Sequence, residues 1–438
     1  MKKLLIINIL LCTLIAALTS CSGKTSSENK IKLSEESITT SAVTTSAAKQ
    51  ATENTTLQTT SVSVLSENVT TSTADPVTVS DLQNIDRLSL GGSHTGFVKE
   101  DGSLYVWGCG FEYQLGNGEH CIAESPIKIM DDVEKICFGF ENSAAVTKDG
   151  SLYIWGKHKP NPAEAKELFI NPPFPEKIMD DVKSVSLGNC HAAVIKNDNT
   201  LYMWGDNSKG QLGNGKSGMY EYSDTPVKIM EDVRCVSLGF LHSAAVTGDG
   251  SLYTWGCNRN GQLGNGKSGE SEIEAEPVKI MDNVQYVSVG DEHSAAITKD
   301  GNLYMWGQND FGQAGNGKSG ESEIQTEPVK IMDNVQYVGL GAKHSAAITE
   351  DGSLYMWGAN DSGQLGNGEE GYKAFSAVPK KIMDNVEAVS LGNGHSGALT
   401  KDGELYMWGN NRLSGVGKIE TDNGLVSVPT KINIIDNS

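Results

Sequence analysis

Seven tryptophans constrain this chain more than any other feature of it. They stand at Trp107, Trp155, Trp204, Trp255, Trp306, Trp357 and Trp408, with successive gaps of 48, 49, 51, 51, 51 and 51 residues, and glycine follows each. No tryptophan lies outside the series. Repetition at such a period marks a chain built from copies of one supersecondary unit, each burying its apolar face against the next. It also lets the copies be compared with one another. Positions shared by all copies are demanded by the repeat, and positions that vary are available for other uses.

One full copy, residues 284–331, reads as four short strands at 287–289, 293–298, 302–306 and 328–331. Between the second and third stands Asp300-Gly301, and Asp-Gly between two alternating apolar runs predicts a hairpin with a type I′ turn. The pair recurs at Asp101-Gly102, Asp149-Gly150, Asp249-Gly250, Asp351-Gly352 and Asp402-Gly403, with Asp198-Asn199 in the third copy. Seven copies of four strands predict an all-β fold, a seven-bladed β-propeller of four-stranded blades. An open solenoid is the competing architecture. The ends favour closure, because 76–79 and 429–432 both carry the fourth-strand motif. The expectation is a ring closed by terminal strands, one of which completes the first blade and hides its edge.

Before the repeats the chain changes character twice. Residues 1–20 begin with Lys2 and Lys3, continue through an apolar run and end in Leu18-Thr19-Ser20 before Cys21. This is the pattern of a secretory leader too short to span a bilayer. Its end resembles the bacterial lipoprotein cleavage site, which implies lipidation of Cys21 and an extracytoplasmic chain anchored to the cell membrane or surface. Residues 21–75 are rich in Ser and Thr, with too little apolar surface to offset the entropy of ordering, and read as a disordered tether. The propeller is expected over 76–438.

A formal charge of −20 repels phosphate backbones, so nucleic acid is not an expected partner. The cysteines beyond the leader, from Cys109 to Cys257, contain no C-x-x-C pair and carry no metal signature. Cys109 and Cys121 share one loop region, and their bridging stays open beside the reading as free thiols.

The recurring frame is Leu-Gly-x-x-His-Ser-Ala followed by Asp-Gly-x-Leu-Tyr-x-Trp-Gly-x-Asn-x-x-Gly-Gln-Leu-Gly-Asn-Gly. In the fourth copy it runs from Leu238-Gly239 to Gly264-Asn265-Gly266. This frame resembles the regulator of chromosome condensation repeat family, whose members fold as seven-bladed propellers, over about residues 80–438. The second copy departs from it: Asn142 replaces the histidine, and residues 157–175 replace the Gly-Gln-Leu-Gly frame. The residue before the motif glycine, usually small in the family, is Leu238, Val289 or Leu391 here. The namesake's nucleotide exchange on a nuclear GTPase and its chromatin binding do not suit a secreted acidic chain and are not carried over.

Six histidines, His94, His191, His242, His293, His344 and His395, invite a metal or catalytic reading. One per copy at the same position spreads them around a ring, so a structural hydrogen bond within each blade is the better reading. The tryptophans read as apolar filling between blades, worth several kcal/mol each on truncation. Gly-x-x-Gly-Gln-Leu-Gly-Asn-Gly lacks the Gly-Lys-Ser/Thr ending and following helix of a phosphate loop and reads as a turn. Adjacent carboxylates such as Asp291-Glu292 do not guarantee the facing pair of a glycosidase.

Function is therefore sought where copies differ. After the Leu-Gly motif the varying pairs include Phe140-Glu141, Phe240-Leu241 and Asp291-Glu292. The loops after Trp-Gly add Phe111, Tyr113 and Phe311, and the longer loops before the fourth strand add Tyr220, Tyr222, Tyr372 and Phe375. Aromatics among varied polar residues suit a binding surface. The expectation is a monomeric, surface-tethered, non-enzymatic scaffold that recognises an extracellular protein or glycan, with no cofactor and no metal. The alternatives are a protein inhibitor of an enzyme, since the family's wider circle includes one acting on β-lactamase, and a polysaccharide-active enzyme.

Overall fold

The computed structural model describes residues 85–157 and 171–434. The expected leader, Cys21, the tether and the strand motif at 76–79 lie outside the described residues. Among those described, twenty-eight strands form seven four-stranded antiparallel sheets. Each sheet is built from four consecutive strands. The first blade comprises Leu88–Leu90, His94–Val98, Leu104–Cys109 and Ile122–Met130, preceded by a 3-10 turn at Ile85–Arg87. The copy singled out in the sequence becomes Val284–Val289, His293–Thr298, Leu303–Gln308 and Ile324–Met332, the fifth blade. The fold is the expected seven-bladed β-propeller.

Closure differs from the expectation. Among the described residues no terminal strand completes the first blade, whose own four strands fill it, and Pro429 to Ile432 sit in the outer strand of the seventh blade, Leu425–Ile432. The ring closes by packing blade one against blade seven. The Leu90 amide donates to Ser390 Oγ at 3.0 Å, and Trp107 Nε1 donates to the Gly415 carbonyl at 3.1 Å. The largest apolar cluster, holding Trp107, Trp155 and Trp408, runs unbroken through blades six, seven, one and two.

The Asp-Gly hairpins also differ from the type I′ expectation. The glycines are left-handed, with φ of 92° at Gly102 and 80° at Gly150, but the aspartates before them are not. Gly150 N–H donates to the Thr147 carbonyl and Thr147 N–H to the Ser151 carbonyl, the pattern of a tight turn followed by a glycine bulge. Asp149 Oδ1 accepts the Ser151 amide at 3.1 Å, as Asp101, Asp198, Asp249 and Asp351 do for the residue two places on. That side-chain bond holds the aspartate in ordinary backbone space, so only one residue per turn needs positive φ.

Each outer strand exposes a sheet edge. In six blades it carries a proline, Pro126, Pro226, Pro277, Pro328, Pro379 or Pro429, which has no N–H to offer a pairing chain. Blade two instead has a short outer strand, Glu176–Met179.

Antiparallel order sorts the connections onto two faces. The turns between first and second strands and the loops between third and fourth strands share one face, here called the loop face. The Asp-Gly hairpins and the blade-to-blade turns share the other, the hairpin face. Every loop candidate named from the sequence therefore lies at the loop face.

Candidate functional site

The repeated residues are consumed by a joint between blades. Each of five indoles, Trp155, Trp255, Trp306, Trp357 and Trp408, donates Nε1–H at 2.9 Å to the backbone carbonyl of Gln114, Gln211, Gln262, Gln313 or Gln364 in the preceding blade. A serine hydroxyl of the same blade as the indole donates to that same carbonyl, as Ser294 does to Gln262 at 2.7 Å. The preceding blade's histidine reaches that serine: His242 Nε2 lies 3.0 Å from Ser294 Oγ. The pairs His94–Ser143, His191–Ser243, His293–Ser345 and His344–Ser396 repeat the contact, and His395 meets Thr95 across the closure.

The histidine bond thus runs between blades, a correction to the reading within one blade. Periodicity identified the position but could not say which neighbour it met. Because the serine's single proton goes to the glutamine carbonyl, Nε2 must carry the imidazole proton and Nδ1 is bare. Burial lowers the histidine pKa values to about 3 for His94, His242, His293 and His344 and about 4 for His191 and His395. These imidazoles are neutral struts. The motif glycine closes the joint: a Cβ on Gly264 would lie 2.8 Å from Trp306 Nε1. The Gly-Gln-Leu-Gly-Asn-Gly segment is therefore a clasp, and the asparagine ahead of it shapes the loop, as Asn258 Oδ1 does by accepting the Leu263 amide at 3.1 Å.

With the repeat positions accounted for, the variable ones remain. The axis of the ring holds a small cavity of about 100 Å³ at the loop face, lined by the motif glycines and the residues on either side of them. Phe140, Phe240 and Asp291 are brought together there with Asn189, Ala342 and Asn393. Asp291 is half-buried, and burial followed by the neighbouring Glu292 raises its pKa to about 6. Their second partners, Glu141, Leu241 and Glu292, do not line the cavity. Glu141 pairs with Lys157 at 2.7 Å. Burial raises the Glu292 carboxyl while Arg259 and Lys343 oppose it, and Lys343 Nζ lies 5.2 Å from the centre of the Phe311 ring.

The rim candidates do not converge. Phe111 belongs to blade one, Tyr220 and Tyr222 to blade three, Tyr372 and Phe375 to blade six. They are the most exposed aromatics of the set, with Tyr372 at 91% and Tyr220 at 65%, but other blades separate them. Tyr113 is half-buried against His120, ring centres 3.8 Å apart. Cys109 and Cys121 are free thiols. Among the described residues no group of three or more His, Cys, Asp or Glu could hold a metal, and no helix is long and apolar enough to cross a membrane.

Sequence reasoning passed over the channel. Leu90, Phe138, Leu187, Leu238, Val289, Leu340 and Leu391 line both the axial cavity and a larger chamber of about 680 Å³ beneath it. These are the residues before the motif glycines, and their size partitions the axis. The signal was present in the two positions after the first valine of each inner strand, which vary among most copies: Glu134-Lys135, Lys183-Ser184, Arg234-Cys235 and Gln285-Tyr286, with the last pair repeated at Gln336-Tyr337.

Comparison with known proteins agrees with this architecture. The RCC1-like domain model matches residues 160–438, and a regulator of chromosome condensation (RCC1) repeat matches 101–146. The chain belongs to the RCC1-like family. The ultraviolet-B receptor UVR8 of Arabidopsis thaliana is 34% identical over 222 residues, 48% of each chain. The human E3 ubiquitin-protein ligase HERC2 is 35% identical over 188 residues, 40% of this chain but 4% of that protein. The RCC1-like chain thus spans about half the length of UVR8, and the ligase match is confined to a small part of its protein. The crystal structure of Prp20p from Saccharomyces cerevisiae, described with its binding to Gsp1p and histones, superposes with a TM-score of 0.63 at 22% identity. It covers 72% of this chain and 83% of that one, a likeness of fold. Of these RCC1-like relatives one is named a receptor, one a ubiquitin-protein ligase, and one is described by its binding.

Proposed function

We propose that this chain is a non-enzymatic scaffold that binds a protein partner at the centre of its loop face, while a lipid on Cys21 holds it outside the cell. The observation that carries the reading is the division of labour among positions. Repeat residues are buried in the joints, whereas Phe140, Phe240 and Asp291 converge on the axis without any structural task of that kind. Two aromatic rings around a half-buried carboxylate make the apolar centre and polar surround that protein interfaces favour. Relatives named for binding, such as Prp20p with Gsp1p and histones, support a protein over a glycan. The separated rim aromatics then serve as secondary contacts.

The test is recovery of partners from envelope extract by the wild-type chain and by two variants. One changes Phe140 and Phe240 to Ala, and the other changes Tyr220, Tyr222, Tyr372 and Phe375 to Ala. The axial variant is expected to lose a stoichiometric protein partner that the rim variant retains with weaker binding. Equal recovery of every partner by all three proteins ends this reading. Fractionation of a Cys21→Ser variant addresses the anchor separately, and its release from the membrane fraction is the expected outcome.

A further inference from the structure

The chamber on the hairpin-face side of the axial partition is unrelated to the loop-face reading, and its walls are chemically unequal. At about 680 Å³ it falls within the ~300–1,000 Å³ typical of small-molecule sites. Blades one to four contribute Arg87, Lys135, Lys183 and Arg234 to its lining, while blades five and six contribute Tyr286 and Tyr337. In a ring of seven those tyrosines face the cations of blades one to three across the axis. The phenol rings tilt against each other with centres 5.3 Å apart.

We propose that this chamber binds a small aromatic anion, a planar ring system carrying one carboxylate or sulfonate. Arg234 is the anchor: it lines the chamber, its η2 nitrogen is engaged by the Val284 and Gln285 carbonyls, which fixes the guanidinium, and among the described residues no carboxylate pairs with it. A fixed cation with no carboxylate beside it favours an anion over a neutral group. Lys135 is held by Asp86 at 3.4 Å, and Lys183 donates to Asn199 Oδ1 at 2.7 Å, so these two shape the field and Arg234 takes the contact. Four cations against the two lining carboxylates, Asp86 and Glu134, make a cationic chamber inside a chain of formal charge −20. A concave site lined by one sign of charge concentrates ligands of the opposite sign.

Room for the ring comes from blade six. Where five other inner strands carry serine and blade two carries Cys137, blade six carries Gly339. Its backbone does not require glycine: φ is not left-handed, and an added Cβ would meet nothing nearer than the Val389 carbonyl at 3.5 Å. The missing side chain leaves space beside Tyr337, whose ring carbon lies 3.6 Å from that Cβ position.

The experiment is calorimetric titration of the full chain with 2-naphthoate, and with neutral 2-naphthamide as its uncharged counterpart. Saturable one-to-one binding of the naphthoate is expected, with the amide weaker by about ten-fold or more. Arg234→Gln should weaken naphthoate by a similar factor, and Gly339→Leu should weaken it about ten-fold or more by occupying the space beside Tyr337. Tyr337→Leu provides a second wall variant should Gly339→Leu fail to fold. Phe240→Ala, on the opposite face, should leave the affinity unchanged. Absence of one-to-one binding, equal affinity for acid and amide, or wild-type affinity in both the Arg234 and the wall variant would overturn the proposal without touching the loop-face reading.

Discussion

Six junctions between blades share one construction, and the junction between blades two and three lacks it. At the junction of blades four and five, His242, Ser294, the Gln262 carbonyl and Trp306 form a closed set of hydrogen bonds. At the junction of blades two and three, Asn142 stands for the histidine and Ala192 for the serine. Asn142 Oδ1 is buried without a partner, and Trp204 is 6% exposed where the other indoles are sealed. Even the inner-strand bond is altered, since the Leu187 amide donates to Cys137 Sγ where Phe138, Leu238 and Val289 find a serine oxygen. The lesson is that the joint behaves as a unit. Removing one member strands another in a dry interior, where an unmet polar group costs about 1–3 kcal/mol, so the members are lost together.

Acid offers the largest break in that comparison. The buried histidines have folded pKa values of about 3 to 4 against an ordinary 6.5, so the unfolded chain binds more protons between these limits. Their neutral state contributes its full stability above about pH 6.5 and loses it as pH falls toward 4. The loss is up to about 1.4 kcal/mol per histidine for each pH unit, roughly 8 for the six together. Unfolding by circular dichroism between pH 7 and 4 should show a steep loss of stability. Hydrogen exchange at pH 5 should show protection falling at the six jointed junctions more than at the junction of blades two and three.

A smaller effect separates two tryptophans. Trp306→Ala removes a sealed ring and a hydrogen bond and should cost about 5 kcal/mol, whereas Trp204→Ala should cost about 3. Urea denaturation of both variants measures the gap, and equal losses would show that the joint adds nothing to simple filling. Next comes the joint itself. Ser294→Ala alone should cost about 2 kcal/mol, and adding His242→Asn should cost less than the sum of the single changes by about 1 kcal/mol. The least effect is expected from installing the missing pair. Asn142→His with Ala192→Ser should stabilise by about 1 kcal/mol, and Asn142→His alone should not.

The sequence carried the architecture because an indole and an Asp-Gly pair recur in register, and repetition fixes strands and copy number without any structure. It did not carry the partner of each histidine. A residue that points along the ring and one that points within its own blade have the same period. The terminal strands misled for a related reason: 429–432 resembles a fourth strand because it is one, and the resemblance says nothing about whose. Among the candidates, Phe140, Phe240 and Asp291 were found because copies differ there, yet the same test failed to separate them from rim residues such as Tyr372. Variation marks exposure to choice, whereas convergence depends on radius from the axis, which no linear pattern records.

The seven glycines around the axis have a further consequence. A Cβ on any of Gly91, Gly139, Gly188, Gly239, Gly290, Gly341 or Gly392 would fall 2.4–2.7 Å from the next glycine's carbonyl oxygen, the last meeting the first. Backbone therefore touches backbone all the way round, and that contact can close at one circumference alone. This loop counts its members: inserting or deleting a single repeat would pry the glycines apart or crush them. A lineage that grows by duplicating such segments is thereby held to seven, and novelty must arrive through what the wedges display and not through how many there are.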